Sequence, residues 1–296
     1  MSPIDRAERL SPLGLVLLAI ASVGWGLNFP IMKHLLTEWP PLSSRGVSGI
    51  VGAAALALFA LARRQTLRVP RPMWLRLLLV SMLTIGGWVA FMGLALLWLS
   101  ASEAAVLGIS IPVWVAFLAR PILGERLSPL RAVALTVALA GIAVLIGGNG
   151  IEASIEKLPG IAFVLTGAVC VALGTVLTKR FPLAMPPLSL AAWLIGLGCV
   201  PIAIVGLAVE QPQLAALSYV GWASLFYLTL IQFCFCYVCW FTALERLPAA
   251  TASIGTLLVP VIGVLASAAT LGEPLGLREI TALVFTLGGV AVALRA

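Results

Sequence analysis

Charged residues are scarce in this sequence: Asp, Glu, Lys and Arg together make up 10% of its 296 residues. A soluble domain carries about 25%, so a chain-wide aqueous surface is excluded. Aspartate occurs once, as Asp5, and histidine once, as His34. Magnesium-dependent lipid enzymes hold their cation with clustered carboxylates, and intramembrane metalloproteases need paired histidines. Neither set can be assembled here. A nucleotide-binding motif is also missing, so ATP is not expected to be the direct energy source. The five cysteines (Cys170, Cys199, Cys234, Cys236, Cys239) sit in apolar stretches without metal or disulfide spacing. Cys236 and Cys239 form a C-x-x-C, but inside an apolar span and without a redox context. No metal or cofactor is expected.

What the chain has instead is hydrocarbon. Hydrophobic residues make up 61% of it and the mean hydropathy is +1.13. A helix crossing an apolar layer ~30 Å thick needs about 20 residues. Apolar runs between charged or proline-rich breaks give ten such segments: 12–36, 41–62, 73–97, 101–119, 129–148, 158–178, 186–209, 217–243, 248–270 and 276–294. The joins are short, which predicts an all-α polytopic bundle with no soluble domain. The first segment is too long for a cleavable signal peptide and lacks a cleavage site. The lipid bilayer is therefore a partner, and a monomer or weak homodimer is expected.

Lysine and arginine in the loops set the orientation. With the N-terminus inside, Arg6, Arg9, Arg63, Arg64, Arg68, Arg71, Arg76, Arg120, Arg126, Arg131, Lys179, Arg180, Arg246 and Arg295 are cytoplasmic, 14 of 18. Both termini are then cytoplasmic, in a bacterial-type inner membrane. The net charge of +7 is a topology signal, and no nucleic-acid partner is implied.

The two halves are copies. Leu123-Gly124-Glu125 recurs as Leu271-Gly272-Glu273, 148 positions later, each glutamate 13 residues after a proline, Pro112 or Pro260. Pro40-Pro41-Leu42-Ser43 recurs as Pro186-Pro187-Leu188-Ser189, 146 positions later. The repeat units are 1–148 and 149–296, with five spans each. An odd number starts the second unit on the opposite side, so the repeats are inverted. Inverted repeats recur in secondary transporters, with the solute site near the midplane between them.

The same marks carry a family resemblance: a proline in each fourth span, Leu-Gly-Glu at its end, and a glycine-rich fifth span. To these add Trp25-Gly26 followed by Asn28 and Pro30, and Arg45 after Pro41. Together they resemble the EamA-type members of the drug/metabolite transporter superfamily, over essentially the whole chain. Within it the sequence is most similar to bacterial aromatic amino-acid exporters. The resemblance implies ten helices and amino-acid efflux. In the second half Val176 stands in place of Asn28 and Ala191 in place of Arg45, so the halves have specialised.

Candidate residues come from the few polar and aromatic groups at depth. Trp25, Asn28 and Met32 share one face of the first span. Asn28 has two open readings: contact with the polar head of a solute, or a bond to a carbonyl freed by Pro30. Trp88 and Met92 stand four apart in the third span, as helix packing or as a solute-facing wall. Phe233, Tyr237 and Trp240 form a stripe with the same two readings. Gly108, Ser110 and Pro112 of the fourth span face Ser253, Thr256 and Pro260 of the ninth. Pro112 and Pro260 each free a backbone carbonyl, which at membrane depth is tolerated only against protein or water. Pro30, Pro112 and Pro260 are candidate hinges, and Thr175 a candidate polar contact from the sixth span. Glu103 and Arg45 are candidates for coupling. Glu103 is equally a helix N-terminal carboxylate, and Arg45 is expected to pair with it or with Glu38. Glu125 and Glu273 are expected to be structural corners.

The expected function is a secondary exporter of amino acids, aromatic and other apolar ones first, working by alternating access. The first, third, fourth, sixth, eighth and ninth spans should line its cavity. The alternatives are export of drugs, purines or other metabolites and, from another class, a lipid-modifying membrane enzyme.

Overall fold

The computed structural model describes residues 11–124, 150–247 and 255–295, with 130, 133, 136, 137, 139–141, 143 and 144 between them. Its described helices are α1 (Pro12–Leu35), α2 (Pro41–Ala62), α3 (Arg71–Ala95), α4 (Ala101–Leu123), α5 (Gly150–Arg180), α6 (Pro187–Glu210), α7 (Tyr219–Leu244), α8 (Leu258–Leu271) and α9 (Leu277–Arg295). Seven are long and apolar enough to cross a membrane, and α8 and α9 are shorter apolar helices. Helices α5 to α9 are the expected sixth to tenth spans. The fifth, 129–148, lies largely outside the described residues; its Gly141 rests against Thr286 of α9. The chain is an all-α polytopic membrane protein built from two repeats.

The helix starts are written in the sequence. Ser11 caps α1, accepting from the N–H of Gly14 at 3.3 Å, and Pro12 occupies the first turn. Prolines also open α2 and α6, where the missing N–H costs nothing. Gly124 (φ 74°) and Gly272 (φ 67°) end α4 and α8 in the left-handed conformation, which glycine adopts without steric cost. The central glycine of the repeated Leu-Gly-Glu is thus a helix stop.

Packing follows membrane rules. Apolar side chains such as Leu58, Leu75, Ile204 and Val209 remain exposed, as lipid-facing groups should. Lipid gives helices no hydrophobic reason to associate, so close contact between small residues matters more. The repeat-related pair α2 and α6 forms the principal seam and runs antiparallel: Ser43 lies at Gly206 and Ser189 lies at Gln65. Gly46 lies so close to Ala203 that a Cβ there would sit 2.5 Å from its Cα. This antiparallel seam is the structural form of the inverted duplication.

Regular α-geometry breaks at repeat-matched places. Met82–Gly87 of α3 and Tyr227–Phe235 of α7 are π-helical, and 82–87 shifted by 148 is 230–235. Helix α4 turns at Ile109 and Ser110 ahead of Pro112, and the chain turns at Thr256 and Leu257 ahead of Pro260. Such π segments favour functional sites because they rotate the following residues out of helical register.

Candidate functional site

Between the halves lies a cavity of two adjoining lobes. The apolar lobe encloses about 310 Å³ and the more polar one about 300 Å³. They share Trp25, Phe29, Trp88, Ile111 and Val259. Each lobe alone is at the lower limit for small-molecule sites, about 300–1,000 Å³.

The repeat builds both lobes twice over. Gly108, Ile109, Ile111 and Pro112 line the apolar lobe, and so do Thr256, Leu257, Val259 and Pro260, each 148 positions further on. Pro112 cannot donate to the carbonyl of Gly108, nor Pro260 to that of Thr256. The helix breaks lie beside this space. In the polar lobe the same shift relates Thr84 to Gln232, Ile85 to Phe233 and Val89 to Tyr237. These pairs come from, or directly follow, the two π-helical segments.

Asn28 from α1, Arg45 from α2 and Gln232 from α7 give the polar lobe its character. All three are buried, with exposures of 7%, 1% and 8%. Arg45 reaches inward from the first turns of α2, and its stem passes Gly93, where a Cβ would sit 3.0 Å from Cδ. Its Nη1 donates to the Sδ of Met32, and its guanidinium carbon lies 5.9 Å from the centroid of the Phe233 ring. Among the described residues its Nε has no hydrogen-bond partner, and neither do Asn28 Oδ1 and Gln232 Oε1.

Aromatic rings form one wall. Trp25 meets Tyr237 edge-on at 5.5 Å and 75°, and Trp240 at 5.7 Å and 57°. Trp88 presses its ring edge toward Gly108.

Of the residues expected at the site, Trp25, Asn28, Arg45, Trp88, Pro112, Tyr237, Thr256 and Pro260 line one or both lobes. Met92 is 1% exposed, buried in the core with Met32 and Leu96, and is not among the lining residues. Trp240 supports Trp25 from behind, beside Leu18 and Leu247. Ser110 is fully buried with an unpartnered hydroxyl and is not among the lining residues. Pro30 is buried inside α1. Ser253 lies outside the described residues.

Two expectations are corrected. Thr175 is exposed and donates to the carbonyl of Val171 at 2.8 Å. Gly174 and Val176 take the packed face of α5, and Val171 is its cavity residue. Arg45 pairs with neither expected glutamate. Glu103 receives Lys157 Nζ at 2.6 Å and closes a capping box with Ser100, while Glu38 accepts from Ser218. Arg45 turns toward the cavity, away from the rim.

Sequence reasoning passed over Gln232 and the depth of Arg45. A signal existed for the first: an amide in the middle of an apolar span, in repeat register with Thr84. The 3.6-residue spacing used for the Phe233–Tyr237–Trp240 stripe does not hold across the π segment. That periodicity concealed Gln232.

Glutamates tie one end of the bundle together across the halves. Glu210 of α6 accepts from Leu42 N at 3.0 Å, Ser43 N at 2.7 Å and Ser43 Oγ at 2.6 Å. Glu273 accepts from Ala101 N at 2.7 Å, Ser102 N at 2.9 Å and Ser102 Oγ at 2.6 Å. Glu38 accepts from Ser218 N and Oγ, both at 2.7 Å. Each carboxylate caps a helix of the opposite half, so the Leu-Gly-Glu acid Glu273 is a clasp as well as a corner; Glu125 lies outside the described residues. The other end has a further cavity of about 310 Å³, bordered by Arg63, Gln65, Glu245 and Arg246.

The profile of the EamA-like transporter family matches this chain twice, over residues 12–147 and 158–295. A curated relative from Bacillus subtilis (strain 168), "Uncharacterized transporter YvbV", is 27% identical over 94% of this chain and 90% of its own length. An "Uncharacterized transporter" of Archaeoglobus fulgidus is 25% identical over 95% and 98%. The "Probable amino-acid metabolite efflux pump" of Salmonella typhimurium is 28% identical over 91% of both chains. Among solved structures that match in fold, a crystal structure has a TM-score of 0.69 at 20% identity, covering 96% of this chain and 97% of the other.

Proposed function

This chain belongs to the EamA-like transporter family, and on that premise we propose that it exports amino acids, those with aromatic or large apolar side chains first. The observation that carries this reading is the two-lobed cavity between the repeats, more polar in one lobe than in the other. A small solute with a charged head and an apolar tail matches that division. The Salmonella efflux-pump relative points the same way. The two matched halves of this chain suit alternating access, in which similar repeats exchange conformations and open the cavity to each side in turn.

We place both termini on the cytoplasmic side of the inner membrane, following the arginine bias. The glutamate-clasped end then faces outward, and the cavity beside Arg63 and Arg246 faces the cytoplasm. Trp25, Trp88 and Tyr237 are the aromatic wall, while Pro112 and Pro260 mark the flexible breaks. Glu103, held by Lys157 at the rim, is read as a latch; neither lobe has a carboxylate among its lining residues. A pH gradient is therefore expected to leave flux unchanged.

Uptake into proteoliposomes across an amino-acid panel, with and without a pH gradient, tests this. Phenylalanine, tryptophan and leucine should enter faster than into protein-free vesicles, and Trp88→Ala should cut that rate by about tenfold or more. A panel in which no amino acid moves overturns the reading. The apolar lobe also favours a second one, export of apolar drugs or other metabolites, which the same vesicles check with ethidium and a purine.

A further inference from the structure

Arg45 is a buried cation whose charge no described neighbour neutralises. Among the described residues no carboxylate lies within ion-pair distance of it. The glutamates at its end of the bundle are engaged elsewhere: Glu38 with Ser218, Glu103 with Lys157, Glu210 with Ser43 and Glu273 with Ser102. A thioether sulfur is a weak acceptor, and the face of Phe233 offers only partial compensation. A charge left in this state inside a membrane is costly, and where one persists it marks a ligand pathway. Lys33, the neighbouring cation of α1, differs. Its Nζ donates to the carbonyls of Leu96 and Leu99 and so closes off the end of α3.

Two amides with the complementary need line the same lobe. Asn28 and Gln232 each bury a carbonyl oxygen that accepts from no described residue. The lobe thus combines unsatisfied donor capacity on a guanidinium with two unsatisfied acceptors. Carboxylate and ammonium are the two groups that would complete it, and an α-amino acid carries both on adjacent atoms. We infer that Arg45, Asn28 and Gln232 receive the zwitterionic head of an α-amino acid, Arg45 taking the carboxylate and the two amide oxygens the ammonium. The side chain then extends past Trp25 and Trp88 into the apolar lobe. This inference rests on the exporter reading and deepens it by assigning the head-group receptor. It also draws on both halves, since Asn28 and Arg45 belong to the first and Gln232 to the second. Their repeat counterparts Val176, Ala191 and Thr84 do not reproduce the set. The receptor is therefore single and fixes one orientation for the solute.

The test measures direct binding to purified protein in lipid nanodiscs by titration calorimetry. Its probes are L-phenylalanine, L-tryptophan, L-leucine, L-phenylalaninamide (no carboxylate) and 3-phenylpropanoate (no ammonium). Loss of a hydrogen bond to a charged group weakens binding by about 10- to 100-fold. On the wild-type protein each of the two truncated phenylalanine analogues should therefore bind about 10- to 100-fold more weakly than L-phenylalanine. Arg45→Met should abolish the discrimination against the amide while leaving 3-phenylpropanoate no better bound than L-phenylalanine. Gln232→Leu should do the reverse, shrinking the discrimination against 3-phenylpropanoate alone. If Arg45→Met does not fold, the wild-type analogue series and Gln232→Leu still decide the matter. Equal binding of L-phenylalanine and its amide to the wild type overturns the receptor and leaves the exporter reading standing. Failure of all three amino acids to bind overturns both.

Discussion

The two ends of this bundle are built from the same repeated sequence, yet one is laced shut and the other is not. At the glutamate end, three carboxylates cap helices of the opposite half through eight hydrogen bonds of 2.6–3.0 Å. At the arginine end, the counterpart of the Glu210–Ser43 clasp is neutral and long: Gln65 Oε1 accepts from Ser189 N at 3.4 Å. Where Glu38 meets Ser218 at one end, repeat register puts Ala184 and Pro70 at the other, which can form no such contact. A carboxylate at a helix N-terminus gains from charge-assisted hydrogen bonds and from the helix dipole; an amide gains less. A duplicated bundle is symmetric only in its backbone plan. A handful of acids distinguishes the two ends, and in this structure the clasped end is the one away from the arginines.

The largest effect should come from cutting the clasps. Glu210→Ala strands the N–H groups of Leu42 and Ser43, and Glu273→Ala those of Ala101 and Ser102. Each loss is expected to weaken closure by about 1.5–3 kcal/mol, the range for hydrogen bonds to a charged group. Hydrogen exchange at the first turns of α2 and α4 measures it. Exchange there should rise sharply in the double variant while the first turn of α6 changes little. An equal rise at both ends would mean that the glutamates support overall stability and do not set the closed end.

How much of this was legible beforehand depends on the period of the signal. Apolar runs and the Leu-Gly-Glu register are long or repeated patterns, and they located helices closely: α2 spans the expected 41–62, and α6 starts one residue from its expected position. Pro112 and Pro260 likewise announced the helix breaks that line the cavity. Two kinds of information were hidden. Helical spacing fails across a π segment, so a stripe drawn at that spacing through Phe233, Tyr237 and Trp240 left Gln232 out. Partner choice among sparse charges is a tertiary property. Arg45, Glu38 and Glu103, all expected at the same outer mouth, invited a rim salt bridge, whereas Lys157 and Ser218, brought by the other half, claim those acids first. Met92 and Thr175 show a related limit, because one helical face can hold both cavity and core, and a rotation of about 100° separates them.

A smaller effect tests the comparison from the opposite side. Gln65→Glu gives the arginine end the carboxylate that Glu210 supplies at the other. The new charge sits at the first turn of α6, where a carboxylate near a helix N-terminus adds about 0.3–1 kcal/mol. That is enough to shift a nearly balanced open–closed equilibrium by up to about fivefold toward arginine-end closure. Hydrogen exchange should slow at Leu188–Leu190 and quicken at Leu42–Ser44, and efflux from vesicles should fall. No change at either end would indicate that Arg63 and Arg64 already hold the position electrostatically, making the asymmetry one of cations and not of clasps.

The weakest clasp carries its own pH signature. Glu38 lies outside the helices and accepts from the hydroxyl and the backbone N–H of Ser218, and Gly221 leaves its carboxylate room that any side chain would fill. Those bonds, the hydroxyl first, hold the Glu38 carboxyl below its usual value of 4.5, with His34 at 3.7 Å adding a smaller pull in the same direction. A depressed folded-state value means that the contribution is complete above about pH 5 and is lost as pH falls through that lowered value. Between about pH 7 and pH 5 the clasp therefore keeps its full strength. Below pH 4.5 wild-type hydrogen exchange at Tyr219–Gly221 should quicken, whereas Glu38→Gln should exchange faster than wild type above about pH 5, match it in acid, and show no such step. A step of the same size in Glu38→Gln would assign the acid response to Glu210 or Glu273, and would make the strong clasps, not the weak one, the pH-sensitive part of the closed end.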